Sequence, residues 1–333
     1  MGKPIKVIGM RGKVVETEHS IIYAVVRKGR VIDSAGDIKL NRAMRSSAKP
    51  IQALVCLETG AADAYKLTPK ELSVIASSHN GTELHTRTIR GILAKCGVSE
   101  RRLQCGFDKP LEQPSYEKML REGRRPARIN HNCSGKHAGI LASSKFMGWP
   151  LATYRSAKHP WNKRVRELIS LFTDIPAEKI SYAVDGCGIP VIFTPIKESA
   201  VAFARYGTPD SFPGPIRNGA LRITAAVNRH PVHNSGRPRF LAHLYKAVPN
   251  RFIAKEGGQG VFCLGVIGEE MGLAIKTLDG RNYAYNPYEP AVLYLLERHG
   301  LIKPAELRKL GKFRRPPILN SRKETVGYLQ VVK

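Results

Sequence analysis

Ser46 and Lys49 stand one helical turn apart in the stretch Arg45-Ser46-Ser47-Ala48-Lys49-Pro50. A serine hydroxyl is a weak nucleophile at neutral pH, and a nearby amine takes its proton only if that amine is uncharged. Keeping a lysine neutral means lowering its pKa from about 10.4 to about 7–8, roughly 3–5 kcal/mol of environment drawn from burial and neighbouring positive charge. The chemistry open to the pair is acyl transfer through a serine ester, with Ser46 as nucleophile and Lys49 as base. Alone, the same letters also describe a serine that begins a helix and a lysine on the surface.

Pro50 is tolerated in a first helical turn, and Ile51, Leu54 and Val55 follow at helical spacing, so the motif is predicted to run from a loop into a buried helix. Downstream, Ser78-His79-Asn80 supplies Ser-x-Asn, and Lys255-Glu256-Gly257 supplies Lys-x-Gly between two apolar, strand-like runs. This order resembles that of the active-site serine β-lactamases and penicillin-binding proteins, whose elements are S-x-x-K, S-D-N and K-T-G; the second and third match in outline only.

A second dense segment is Asn132-Cys133-Ser134-Gly135-Lys136-His137-Ala138-Gly139. Gly-Lys at a helix start suggests a phosphate loop, but the Walker spacing is absent, which argues against a nucleotide site there. Cys133 and Lys136 are one helical turn apart, His137 follows, and Cys187 lies in the tight turn Asp185-Gly186-Cys187-Gly188. Two thiolates and a nitrogen suit zinc, although the spacing matches no standard zinc module and lysine is an unusual ligand. The plainer readings are a small residue in a tight turn for Cys187 and a hydrogen-bonded loop histidine for His137.

Composition bounds these readings. The chain has 333 residues, 42% of them hydrophobic, enough for a substantial core. No apolar run approaches the length of a membrane span, and the first residues carry no signal-peptide core, so the expected location is cytoplasmic. The 6 cysteines are sparse and are expected as thiols or metal ligands. A formal net charge of +27 raises nucleic-acid binding as a rival function. Yet the basic residues are dispersed; the denser patches, over 121–128 and 308–323, lack interleaved aromatics, and no zinc-finger or aromatic RNA-binding signature is present. A solvated basic face is the preferred reading.

The elements that must position these groups can be sketched from periodicity. Short β-rich runs over 4–40 read as antiparallel hairpins. Thr68-Pro69-Lys70-Glu71 is a capping box that opens a helix ending just before Ser78. Further helices are expected over 83–96, 136–147, 161–172, 196–205, 216–228 and 240–247, with a short strand at 180–184 and a surface loop over 208–215. Strands return over 250–280, followed by a helix near 291–298. Strands at both ends around a helical middle (50–247) predict one α+β domain over 1–333, its terminal segments meeting in one antiparallel sheet.

Taken together, Arg45–Pro50, Ser77-Ser78-His79, Cys133-Ser134-Gly135-Lys136-His137-Ala138-Gly139, Asp185-Gly186-Cys187-Gly188 and Ala254-Lys255-Glu256-Gly257 resemble the Rhizobium-type (class 3) L-asparaginase family. The resemblance runs from the first hairpins to the closing strands. It implies a serine β-lactamase/glutaminase-like fold, a homodimer, and hydrolysis of L-asparagine to L-aspartate and ammonia. It makes Ser46 the nucleophile and Lys49 its base, with Ser78 and Lys255 a second serine–lysine pair, and it matches Cys133, Lys136 and Cys187 to zinc-binding positions. His137 and Asp185 would lie at the substrate, where Asp185 could pair with the α-amino group; Arg45 is assigned here to the α-carboxylate. The three lysines Lys49, Lys136 and Lys255 are expected to lower one another's pKa. Gln259 stands where an acidic residue is more usual, and His159-Pro160-Trp161-Asn162 departs from the commoner His-Pro-x-Gln. A glutaminase, or a hydrolase of a β-lactam or peptide amide, is the nearer alternative.

Overall fold

Residues 21–26 read Ile-Ile-Tyr-Ala-Val-Val and are all buried, as a strand covered on both faces requires. They lie at the centre of a sheet in the computed structural model, which describes residues 2–280 and 285–332. The strands are β1 (Ile5–Arg11), β2 (Val14–Arg27), β3 (Arg30–Ala35), β4 (Asn41–Ala43), β5 (Tyr182–Val184), β6 (Pro190–Pro195), β7 (Phe252–Gly257), β8 (Val261–Val266), β9 (Met271–Thr277), β10 (Pro317–Leu319) and β11 (Thr325–Val332). The chain divides into two compact units. The first is drawn from the N-terminal stretch through Ser47, from Thr194–Thr208 and from His243 onward; the second comprises Ala48–Phe193 and Pro209–Ala242.

The sheet of the first unit runs β10-β11-β1-β2-β9-β8-β7, with β3 also bonded to β2. Its pairings are antiparallel, and β1 sits between β2 and β11 while β2 also pairs with β9. The two ends of the chain therefore share one antiparallel sheet, the α+β arrangement expected. Two details differ. Within the 4–40 stretch read as short runs, Val14–Arg27 is one long strand, and the sheet is completed beyond residue 280 by β10 and β11. In β11 only Gly327 and Leu329 are buried, a short alternation that the basic residues just before it obscure.

Helix Ile196–Gly207 lies on this sheet against β2, β8 and β9. Gly265 and Gly272 face each other across the β8–β9 ladder. A Cβ on Gly265 would sit 1.9 Å from the Phe203 carbonyl oxygen, and one on Gly272 would sit 2.1 Å from that of Ala200. The two glycines let the helix backbone touch the strands directly, and every residue of β8 and β9 is buried.

The second unit is largely helical. Helix Lys49–Glu58 carries Pro50 in its first turn and is buried from Lys49 through Leu57, because helices Ser134–Phe146, Pro160–Thr173 and Gly214–Arg229 pack around it. The capping box forms as predicted: the Glu71 N–H donates to Thr68 Oγ1 (3.4 Å), and the Thr68 N–H donates to Glu71 Oε2 (2.7 Å). The helix so started, Pro69–Ile75, stops three residues before Ser78. Helix Gln113–Arg121 and strand β6 are additional to the elements expected, and the stretch 208–215 already contains a 3₁₀ turn, Pro209–Ser211, and the start of helix Gly214–Arg229. Pro215 fits there because a first-turn N–H has no helical acceptor.

Gly135 and Gly139 explain the glycines of the second motif. A Cβ on Gly135 would lie 2.3 Å from the Val74 carbonyl oxygen, and one on Gly139 would lie 2.6 Å from Ile75 Cγ2. They are packing glycines inside helix Ser134–Phe146, letting it press on helix Pro69–Ile75. Among the described residues no helix is long and apolar enough to cross a membrane.

Candidate active site

Ser46 is half-buried in the 3₁₀ turn Arg45–Ala48, which leads straight into the helix begun by Lys49. Arg45 enters the turn at φ +52°, a left-handed conformation uncommon for a side-chain-bearing residue. The neighbouring hydroxyls differ in use. Ser47 is fully buried and donates to the Met44 carbonyl at 2.6 Å, whereas Ser46 Oγ makes no hydrogen bond among the described residues. The Arg45 guanidinium lies alongside Gly258, where a Cβ would be 3.4 Å from Nη2.

Lys49 is 1% exposed. Its Nζ donates to the Ser77 carbonyl at 2.6 Å and to Ser78 Oγ at 3.0 Å. Burial lowers its pKa below the ordinary lysine value and the charge of Lys136 adds to the effect, while Cys133 and Cys187 oppose it. A neutral amine has two N–H groups and one lone pair. With both N–H groups directed at Ser77 and Ser78, the lone pair is the position left on nitrogen to receive a proton.

Ser78 itself is 4% exposed and is held by its backbone: its N–H donates to the Asn234 carbonyl (3.2 Å), and Arg239 Nη1 donates to its carbonyl (2.6 Å). Arg239 and Asn234 carry no motif, and only the fold brings them here. Next in sequence, His79 accepts from the Gly81 N–H at Nδ1 (3.0 Å), so Nε2 bears the proton and donates to Ser134 Oγ (3.0 Å). Burial, the largest cause, lowers the pKa of this ring well below the ordinary histidine value and holds it neutral.

Cys133, Lys136, His137, Asp185 and Cys187 come together within the second unit. Cys133 precedes helix Ser134–Phe146 as its N-cap residue, the first turn of that helix supplies Lys136 and His137, and the turn between β5 and β6 supplies the others. That turn is closed by the Gly188 N–H on the Asp185 carbonyl (2.8 Å) and the Asp185 N–H on the Ile189 carbonyl (2.9 Å). Lys136 Nζ donates to Cys187 Sγ at 3.1 Å, and Cys187 Sγ is 3.8 Å from Asp185 Oδ2. Hydrogen bonding from Cys187 lowers the Cys133 pKa well below its usual value, and the same contact raises that of Cys187, so the pair shares one thiolate. His137 Nδ1 shares a hydrogen bond with Tyr154 Oη (2.8 Å), and burial lowers its pKa to about 4, leaving the imidazole neutral. Tyr154, fully buried, was not indicated by spacing.

One expectation is corrected. Lys136 does not share the lowered pKa of Lys49: burial disfavours its charge, but Cys187, Cys133 and Asp185 outweigh burial and raise it above the ordinary lysine value. Lys136 remains a cation and thereby helps to neutralise Lys49.

Lys255 stands on β7 in the first unit, as Ser46 and Arg45 stand in that unit. It is fully buried, and its Nζ donates to the Glu256 carbonyl at 3.0 Å. Gly257 follows because a Cβ there would lie 2.8 Å from the Met44 carbonyl oxygen, next to the turn that carries Ser46.

The donor chemistry around Cys187 suits a soft divalent ion: two thiols, the Lys136 nitrogen, and the buried ring of His137 beside Cys187. Among the described residues no group of three or more His, Cys, Asp and Glu side chains is arranged to hold a metal, so an ion here would depend on the lysine nitrogen.

Comparison with known proteins completes the description. Solved structures with a similar chain trace include a beta-lactamase from Mycobacterium bovis, at 15% identity and TM-score 0.43, covering 83% of this chain and 94% of that one. The octameric penicillin-binding protein homologue from Pyrococcus abyssi gives 11% and 0.44 over 84% and 73%. A D-alanine carboxypeptidase from Burkholderia cenocepacia gives 13% and 0.37 over 88% and 93%. No curated protein gives a significant match. The L-asparaginase II family matches residues 7–331, a span that takes in each motif set out above, from the Ser46 turn to Lys255-Glu256-Gly257. The chain therefore belongs to the L-asparaginase II family, a family of amidohydrolases.

Proposed function

We propose that the protein hydrolyses L-asparagine to L-aspartate and ammonia through a serine ester. The observation that carries this reading is the buried Lys49 amine, its two N–H groups bound to Ser77 and Ser78, one turn after Ser46. Ser46 Oγ attacks the side-chain amide carbon as its proton passes to the Lys49 lone pair. The C–N bond breaks, the same proton leaves with ammonia, and water then attacks the ester to release aspartate and regenerate the serine. Ser78 orients the Lys49 amine, and Lys255 is assigned to the second serine–lysine pair by family resemblance. Asp185 is assigned to the substrate α-amino group, His137 to a neutral hydrogen-bonding role beside it, and Arg45 to the α-carboxylate. Cys133, Lys136 and Cys187 would hold a zinc ion, Lys136 giving up its proton to bind as a neutral amine and the ion replacing its positive charge. When bound, zinc supplies a fixed positive charge that orients the substrate. The homodimer implied by the family is retained as part of the proposal.

A second reading is favoured by one contact: Lys49 donates directly to Ser78, so Ser78 could carry the acyl group instead. The experiment that separates the two is mass spectrometry of peptides after acid quench during asparagine turnover. An aspartyl adduct on the peptide containing Ser46, lost in Ser46→Ala along with ammonia release, supports the first; an adduct on Ser78 that persists in Ser46→Ala refutes it. Glutamine, a β-lactam and a peptide amide are assayed alongside. Faster turnover of any of these than of asparagine would reassign the substrate, and salt-sensitive nucleic-acid binding without amidase activity would replace the enzyme reading.

A further inference from the structure

Outside these residues, the first unit contains a cleft of about 760 Å³ between helix Tyr288–Arg298, the short helix Gly311–Arg314 and β11. Its walls bring three guanidinium groups, Arg298, Arg314 and Arg315, against a single lining carboxylate, Glu297. Two of the three are held in place. Arg314 Nη2 pairs with Glu297 at 2.8 Å, and Arg298 Nε pairs at 3.2 Å with Asp33, which stands outside the lining. Arg315 has no carboxylate partner among the described residues; its guanidinium rests 4.3 Å above the centre of the Tyr328 ring. That stacking fixes the plane of the fork and leaves its N–H edges available.

The remaining lining divides by chemistry. Gln330 adds a side-chain amide that makes no hydrogen bond among the described residues, while Pro290, Val331 and the ring of Tyr294 form an apolar surface. The volume falls in the range of small-molecule sites, and the pattern of convergent donors beside an apolar wall is the usual one. An excess of cations in one concave space is self-repelling unless an anion occupies it. A phosphate monoester brings close to two negative charges and three acceptor oxygens, enough to engage more than one of these forks at once. The volume and the single fork left unpaired among the described residues suit a small ligand rather than an extended polyanion.

We propose that this cleft binds a small organic phosphate, its phosphate on Arg315 and Gln330 and its apolar portion on Pro290 and Tyr294. The proposal is independent of the amidohydrolase chemistry, so its test reads binding alone. Isothermal titration of the full chain with adenosine monophosphate is expected to give saturable one-to-one binding, with adenosine at least tenfold weaker. Arg315→Ala should weaken the nucleotide at least tenfold, and Arg315→Lys, which keeps charge but not the fork, should fall between. Arg121→Ala, on the exposed basic surface of the other unit, should change nothing. Unaltered thermal unfolding of Arg315→Ala keeps a folding defect from imitating the result. Unsaturable binding, wild-type affinity in Arg315→Ala, or an equal loss in Arg121→Ala would overturn the proposal.

Discussion

Replacing Lys49 by methionine tests the central chemistry most directly, because the side chain keeps its approximate volume while losing the amine. The wild-type Nζ satisfies the Ser77 carbonyl and Ser78 Oγ in a site from which water is excluded. Leaving those two acceptors without a donor costs about 1–3 kcal/mol each. Against that, methionine removes the cost of burying an amine, which the lowered pKa of Lys49 reveals. The two terms have opposite sign and similar size, so global stability is expected to change by no more than about 2 kcal/mol, while loss of the proton acceptor lowers kcat by about 10²–10⁴. The pH behaviour gives a second reading. The wild-type acid limb of kcat/KM should rise as Lys49 loses its proton, at a midpoint below the ordinary lysine value. Between that folded pKa and the unfolded one, the unfolded chain binds more protons, so this lysine makes the fold more stable as pH rises through the window and contributes no slope below or above it. Urea unfolding across pH and stopped-assay ammonia release measure the two effects. Turnover in Lys49→Met within twofold of wild type, with the acid limb in place, would refute the assignment of Lys49 as base.

Cys187→Ala should abolish stoichiometric zinc in protein purified without chelator, read by elemental analysis; an unchanged signal would remove Cys187 from the metal site. Gly139→Leu should destabilise the second unit by at least about 1–3 kcal/mol, because its Cβ would already overlap Ile75, and a shift of the urea midpoint reports it; an unshifted midpoint would mean the two helices can part without cost. In the same measurement, Gly148→Ala should cost only about 1 kcal/mol, since that glycine closes its helix at φ +69° with open space around it.

Local patterns in the chain determined the elements and some of their ends. Thr68 and Glu71 announce a helix start because a capping box needs no partner from elsewhere, and helix Phe240–Ala247 follows from its own apolar spacing. The Ser46–Lys49 spacing and the Cys133–Gly139 segment were equally legible, since one helical turn sets each. Their electrostatics were not. Lys49 and Lys136 are both buried lysines, yet one pKa falls and the other rises, because only Lys136 has thiol and carboxylate neighbours strong enough to outweigh burial. Gly135 reads as a loop signal in one dimension and Gly139 as one residue of a helix, and both prove to be contact points between two helices. Arg239, Asn234 and Tyr154 had no signal at all, being recruited from distant segments to satisfy backbone and ring atoms at the site. Residue type and short-range spacing decide which groups can do chemistry; the sign of a pKa shift depends on which charges folding brings within a few ångströms, and that belongs to the tertiary structure.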